Sequence, residues 1–259
     1  MTRIYGNKPY KIALVHGGPG AIGSLAAVAR EISATHGAIE PLQSKMAVSE
    51  LVEELYIQIS EAANEPITVL GHSWGAWLSV LCAAKHPGIA KQLVLVGSGP
   101  FTAHYAYTIG QRRLANFTDE ERAEYLNVLQ LLDDGGEDEK TALLERLGEL
   151  AEISDNYSLL EDDYKSQTVI DAEMYASVWR EAEQMRSSGK LADALGNISC
   201  PAIIIHGSSD PHPIEGVAEP LKEYGIETSI YLLDKCGHSP FFEKHAKDEF
   251  YSILRTILL

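Results

Sequence analysis

The chain is poor in the features that mark several large protein classes. It has only three cysteines, Cys82, Cys200 and Cys236, in 259 residues. Three thiols cannot all pair and none has C-x-x-C spacing, so reduced thiols in a reducing compartment are expected. Cys236, two residues before His238, reads as a small loop or core residue in preference to a reaction partner. Positive charge is scarce: 21 Lys and Arg stand against 37 Asp and Glu, a formal charge of −16. Nucleic-acid binding, which needs clustered Lys and Arg, is not expected. No run approaches the roughly 18 apolar residues needed to span a bilayer. The N-terminus, MTRIYGNKPYKIALVHGG, lacks the apolar region and cleavage site of a signal peptide. A cytoplasmic protein with no membrane partner is therefore expected. H-E-x-x-H, Cys/His clusters and the G-x-x-x-x-G-K-[ST] loop are also missing, so no metal and no cofactor are expected.

What is present is alternation. Short apolar runs at 11–16 (KIALVH), 38–42, 67–70 (ITVL) and 92–96 (QLVLV) are separated by helical patterns at 22–35, 48–64 and 74–85. Unalternating apolar strands between helices predict a mostly parallel sheet covered on both faces, an α/β fold. The alternation stops at about residue 101. From there to about 196 the pattern is helical and amphipathic, with an acidic turn at 133–136, and this block carries most of the negative charge. A solvated surface accounts for that charge; an acidic rim attracting amines is the alternative. Strands return at 201–206 (PAIIIH) and 227–233, with helices at 214–224 and 241–258. The helical block thus interrupts a core made of 1–100 and 197–259.

The strongest local signal is Gly71-His72-Ser73-Trp74-Gly75, between the ITVL strand and a helix. A G-x-S-x-G match is common by chance, and its strand–turn–helix setting is what makes it specific. Small flanking residues permit a sharp turn that pushes the serine hydroxyl out at the strand's carboxyl end. His16-Gly17-Gly18-Pro19-Gly20 follows the first strand and suits an oxyanion hole. Pro19 has no N–H to give, so the candidate donors are the N–H groups of Gly18 and Trp74. His16 is expected to organise the loop and not to carry protons.

A serine nucleophile needs a base, and the base needs an acid. Of nine histidines, His238 lies in a Cys-Gly-His-Ser-Pro turn between a strand and the last helix. His72 adjoins the serine but is expected to point elsewhere. Asp210 follows the PAIIIH strand in Gly207-Ser208-Ser209-Asp210-Pro211, whereas the turn after QLVLV contains no carboxylate. Asp234, four residues before His238, fits less well.

Together these segments resemble the α/β-hydrolase superfamily over nearly the whole chain, and HGGPG is similar to the oxyanion loop of its prolyl iminopeptidase and esterase branch. The resemblance implies a sheet of about six strands with a helical cap at 101–196, and a catalytic triad of Ser73, Asp210 and His238. The strand starting at Lys11 leaves almost no room for the N-terminal hairpin of most relatives. It also implies a covered pocket, for which Phe101, Tyr105, Trp74, Trp179 and Phe241 are candidate lining residues. The iminopeptidases usually have Gly at the position of His72, and of their amine-recognising acids only Glu173, Glu181 and Glu183 offer candidates here. The expected function is hydrolysis of an ester, thioester or amide of a small molecule through an acyl-enzyme. Aminopeptidase action is one alternative; a binding protein that keeps the fold without turnover is another.

Overall fold

The computed structural model describes residues 1–134, 140–160 and 169–259; residues 135 and 136 of the expected acidic turn lie outside them. Its centre is a sheet of seven strands. In chain order these are β1 (Thr2–Tyr5), β2 (Tyr10–Val15), β4 (Gly37–Pro41), β5 (Ile67–His72), β6 (Ala90–Val96), β8 (Ala202–Gly207) and β9 (Thr228–Leu233). Across the sheet the order is β1-β4-β2-β5-β6-β8-β9. All pairings are parallel except β1 with β4. The expected α/β architecture is present, with one strand more than the sequence suggested. The addition is β1, half-exposed, whose four residues pair antiparallel with β4 from Thr2↔Pro41 to Tyr5↔Ala38.

The reason the central strands show no polar alternation is visible in their packing. Ala13 and Val15, Val69, Leu93 and Leu95, and Ile204 face one apolar layer. Ile12 and Leu14, Leu70, Val94 and Val96, and Ile205 face the other. The first layer holds α2 (Val48–Ala62) and α3 (Trp74–Lys85); the second holds α1 (Ala26–Ser33) and α11 (Lys247–Leu258). Both faces are buried, so both phases of the strand must be apolar.

The segment between β6 and β8 contributes α4 (Ala103–Ala106), α5 (Ile109–Asn116), α6 (Asp119–Asp134), α7 (Lys140–Asp155), α8 (Ala172–Ser187) and α9 (Lys190–Asp193). Phe117, Tyr125, Val128 and Leu150 form a small core of their own there. A two-residue strand, β7 (Val169–Ile170), pairs with β3 (Ala21–Ile22). Helix α8 docks onto α3 by an aromatic stack: Trp179 lies 5.7 Å from Trp77 at an interplanar angle of 8°, with Tyr175 6.0 Å beyond it. No helix is long and apolar enough to cross a membrane, among the described residues.

Trp179→Ala removes the middle ring of that stack. It should lower unfolding stability by roughly 2 kcal/mol in a urea titration and leave KM for a small ester unchanged.

Candidate active site

Ser73 joins β5 to α3, so the chain must reverse between a buried strand and a buried helix. It does so with Ser73 at φ 55° and ψ −121°, a conformation costing on the order of 1–3 kcal/mol for a residue with a Cβ. The surroundings hold it there. Ser73 N–H donates to the Val96 carbonyl at 2.9 Å. A Cβ on Gly71 would lie 2.2 Å from Gly75 O, and one on Gly75 would lie 2.1 Å from Val15 O. Only glycine fits at either flank. A serine at a helix N-terminus usually caps it through Oγ; Ser73 makes no such bond.

The glycine loop leaves β2 and packs against this elbow. A Cβ on Gly17 would sit 2.9 Å from His72 Nδ1 and 3.1 Å from Ser73 Cβ. His16, fully buried, braces the loop: Nδ1–H donates to Gly17 O at 3.0 Å, and His16 O accepts from Gln43 Nε2 at 3.1 Å. Gln43 Oε1 in turn accepts from the Trp74 indole N–H at 2.9 Å. Burial pushes the His16 imidazole down to about 4, so it is a neutral strut at neutral pH. The Trp74 side chain is buried in the core.

Asp210 and His238 arrive on the turns after β8 and β9. These turns touch: a Cβ on Gly207 would lie 2.2 Å from Gly237 O. His238 Nδ1–H donates to Asp210 Oδ2 at 2.9 Å, and the Asp210 side chain is completely buried. Burial alone would raise the Asp210 carboxyl, but the imidazoles of His238, His212 and His206 hold it well below the ordinary carboxylate range. Burial likewise works to lower His238, and the Asp210 charge overcomes it, so His238 ends above its ordinary value of 6.5. His72 lines the same cavity as Ser73, and its Nε2–H donates to the His238 carbonyl at 3.0 Å. Burial, with His238 beside it, pushes His72 down to about 3.

The histidine turn is also fastened to the C-terminal end of α7. His238 N–H donates to Asp155 O at 2.7 Å and Ser239 N–H to Asn156 Oδ1 at 3.1 Å. The fully buried Glu243 carboxylate accepts from the N–H groups of Tyr157 and Ser158, each at 2.6 Å, and of Gly237 at 2.8 Å. Asp155 itself forms a two-bond pair with Arg113 at 2.6 and 2.7 Å.

Ser73, His238, Gly17 and Gly18 line one cavity of about 270 Å3, together with Phe241 and, from α7, Glu152. Of the aromatic residues expected around the serine, Phe241 lines this cavity, whereas Tyr105 lines a separate surface pocket. Phe101 is wholly buried in the core, its N–H on Gly216 O; Tyr105 bonds Glu219 on the surface; Trp179 stacks on Trp77. A large aromatic residue suits a core as well as a pocket, and here the core took Phe101 and Trp179. The acids considered for amine recognition also lie elsewhere: Glu181 accepts from Val48 N–H at 2.7 Å, Glu183 pairs with Arg186, and Glu173 is exposed. Glu243 and His212 were not anticipated. Asp210-Pro211 is a turn-initiating pair whose aspartate can reach back for the N–H two residues on, and that was the available clue to His212. Ligand atoms of Asp210, His212 and His238 lie within 4.8 Å of one another. Hydrogen bonding to the carboxylate accounts for this grouping, and a metal ion would have to displace both imidazole protons.

The sequence model of the Alpha/beta hydrolase family matches residues 14–253. Among curated proteins none is similar in sequence to this chain. The fold is similar to that of VinJ (TM-score 0.74, 16% identity, 99% of this chain and 93% of that one). It is also similar to the proline iminopeptidase of Mycobacterium smegmatis (TM-score 0.69, 18% identity, 99% and 93%). A structure from work on carboxylesterases of the thaumarchaeon Nitrososphaera gargenis is similar as well (TM-score 0.68, 16% identity, 100% and 93%).

Glu243→Ala would remove the shared acceptor of the Tyr157, Ser158 and Gly237 N–H groups. A loss of about 2–3 kcal/mol is expected, measured by chemical unfolding.

Proposed function

The chain belongs to the alpha/beta hydrolase family, and on that premise we propose that it is a serine hydrolase whose nucleophile is Ser73, with His238 as base and Asp210 as the acid that orients it. The observation that carries the reading is the 2.9 Å Asp210–His238 bond beside a strained serine on one cavity. In this scheme Ser73 Oγ attacks the carbonyl carbon of an ester, thioester or amide of a small molecule. His238 Nε2 takes the serine proton, and Asp210 stabilises the imidazolium. The N–H groups of Gly18 and Trp74 receive the developing oxyanion, and the positive end of α3 favours it. His238 then protonates the leaving group, and water, activated by the same imidazole, releases the acyl group. The scheme needs Ser73 Oγ within hydrogen-bond reach of His238 Nε2, a contact that commonly tightens when substrate fills the site. Residues 101–196 act as the cap, which α7 supports by lining the cavity.

A second reading, aminopeptidase action, is favoured by one observation: Glu152 lines the cavity from α7, where a carboxylate can attract a free amine. Aminoacyl-nitroanilides compared with short-chain nitrophenyl esters separate the two, and turnover of esters alone overturns the second.

A fluorophosphonate should label Ser73, mapped by mass spectrometry, and Ser73→Ala should abolish the label and lower kcat/KM by a factor of about 10⁴. Labelling elsewhere overturns the assignment. The base must be neutral to accept the proton, and His238 sits above 6.5. Activity should therefore fall as pH drops through a value above 6.5, read from the acidic limb of kcat/KM.

A further inference from the structure

Asp210 serves two imidazoles, not one. His238 Nδ1 takes Oδ2 at 2.9 Å, while Oδ1 accepts from both the backbone N–H and the Nδ1–H of His212, at 2.9 and 2.7 Å. A carboxylate is acceptor-only, so both rings must carry their proton on Nδ1. His212 is itself fixed from behind, because its carbonyl accepts from His206 Nε2 at 2.8 Å. Its ring lies 4.5 Å from that of His238, with the planes 30° apart. Neither Asp210 nor His212 lines the cavity that holds Ser73.

We propose that His212 is a positioning residue that acts through Asp210: it fills Oδ1 with two donors, turns Oδ2 towards His238, and takes a share of the carboxylate charge that would otherwise act on His238 alone. The proposal rests on the hydrolase reading above. Its physical basis is the geometry of a shared acceptor. A buried carboxylate with one oxygen unoccupied can rotate about Cβ–Cγ, whereas two donors on Oδ1 fix its plane. Each donor also spreads negative charge away from Oδ2, so the pull on the His238 proton weakens. Two imidazoles this close cannot both be charged at modest cost. Burial, opposed by Asp210, keeps His212 below its ordinary value, with His238 pushing the same way. The proton taken from the serine is thereby directed to His238.

The other groups bearing on His238 come from three elements. His72 stands at the end of β5, Asp155 ends α7 and raises the His238 proton affinity, and Arg113 of α5 lowers it. His206, on β8, touches Asp210 at 3.5 Å and not His238. A change at His212 leaves all four in place.

The test follows the His238 imidazole by NMR titration in the ligand-free protein, and kcat and KM on a nitrophenyl ester across pH. His212→Ala should raise the His238 midpoint by roughly one pH unit, move the acidic limb of kcat/KM with it, and lower kcat about tenfold with KM unchanged. His212→Asn, whose amide can donate to Oδ1, should return the midpoint towards the wild-type value. Identical midpoints in all three proteins, or the same displacement in both variants, overturn the proposal. If Ala at this position prevents folding, His212→Leu, which fills the space and cannot donate, takes its place beside His212→Asn and is judged by the same outcomes. Because the NMR titration needs no turnover, a wild-type protein inactive on every ester and amide counts against the hydrolase reading and not against the role of His212 on Asp210.

Discussion

The site is organised by a single buried charge. The side chain of Asp210 has no exposure to solvent, and an ionised carboxylate taken out of water costs several kcal/mol unless it is paired and hydrogen-bonded. The surrounding geometry answers that cost. The turn after β8 folds back so that the His212 N–H reaches Oδ1, and the turn after β9 brings His238 to Oδ2. The close fit of these turns, with Gly207 against Gly237, follows from the need to seal the carboxylate from water while keeping its donors in place. Function and stability converge here: the pairing that makes burial of the charge tolerable also gives the His238 imidazole a fixed tautomer.

The second carboxylate, Glu243, does for the backbone what Asp210 does for side chains. Three N–H groups from two separate stretches of chain converge on it. None of those donors belongs to a helix or strand ladder, and the Gly237 N–H, which is buried, would otherwise be an orphan. Glu243 also lies one residue after the turn Pro240–Phe242, which carries Phe241 to the cavity wall. The His238 turn, the aromatic wall and the end of α7 therefore form one hydrogen-bonded block.

Much of the arrangement was legible from residue order. Ser73, Asp210 and His238 each follow an apolar run of strand length, and parallel strands place such positions along one edge of the sheet. The flanking glycines were legible too, because a turn that tight tolerates nothing larger. β1 was not, since Thr2–Tyr5 is half-exposed and carries no apolar run to announce it. Phe101 and Trp179 misled for the opposite reason: a large aromatic residue near a pocket and one in a core look alike in a single sequence. Glu243 lies beyond local pattern altogether, since it gathers N–H groups 85 and 86 residues away. For His212 the Asp210-Pro211 turn was the one local clue, and the bond of its ring to Asp210 becomes legible only once the fold has buried the carboxylate.

These contacts also restrict how the cavity can open. Helix α7 contributes Gly148, Ala151 and Glu152 to the wall of the cavity that Ser73 lines. The last residue of that helix cannot lead the motion. Asp155 holds the His238 N–H through its carbonyl and Arg113 through its carboxylate, and Tyr157 and Ser158 are held by Glu243. Moving residues 155–158 would break several hydrogen bonds at once and pull His238 from Asp210. A displacement of α7 that leaves His238 on Asp210 must therefore pivot on the end of the helix, with the residues nearer its start travelling further. The fastening that holds His238 thus acts as a fulcrum for the part of the cavity wall that α7 supplies.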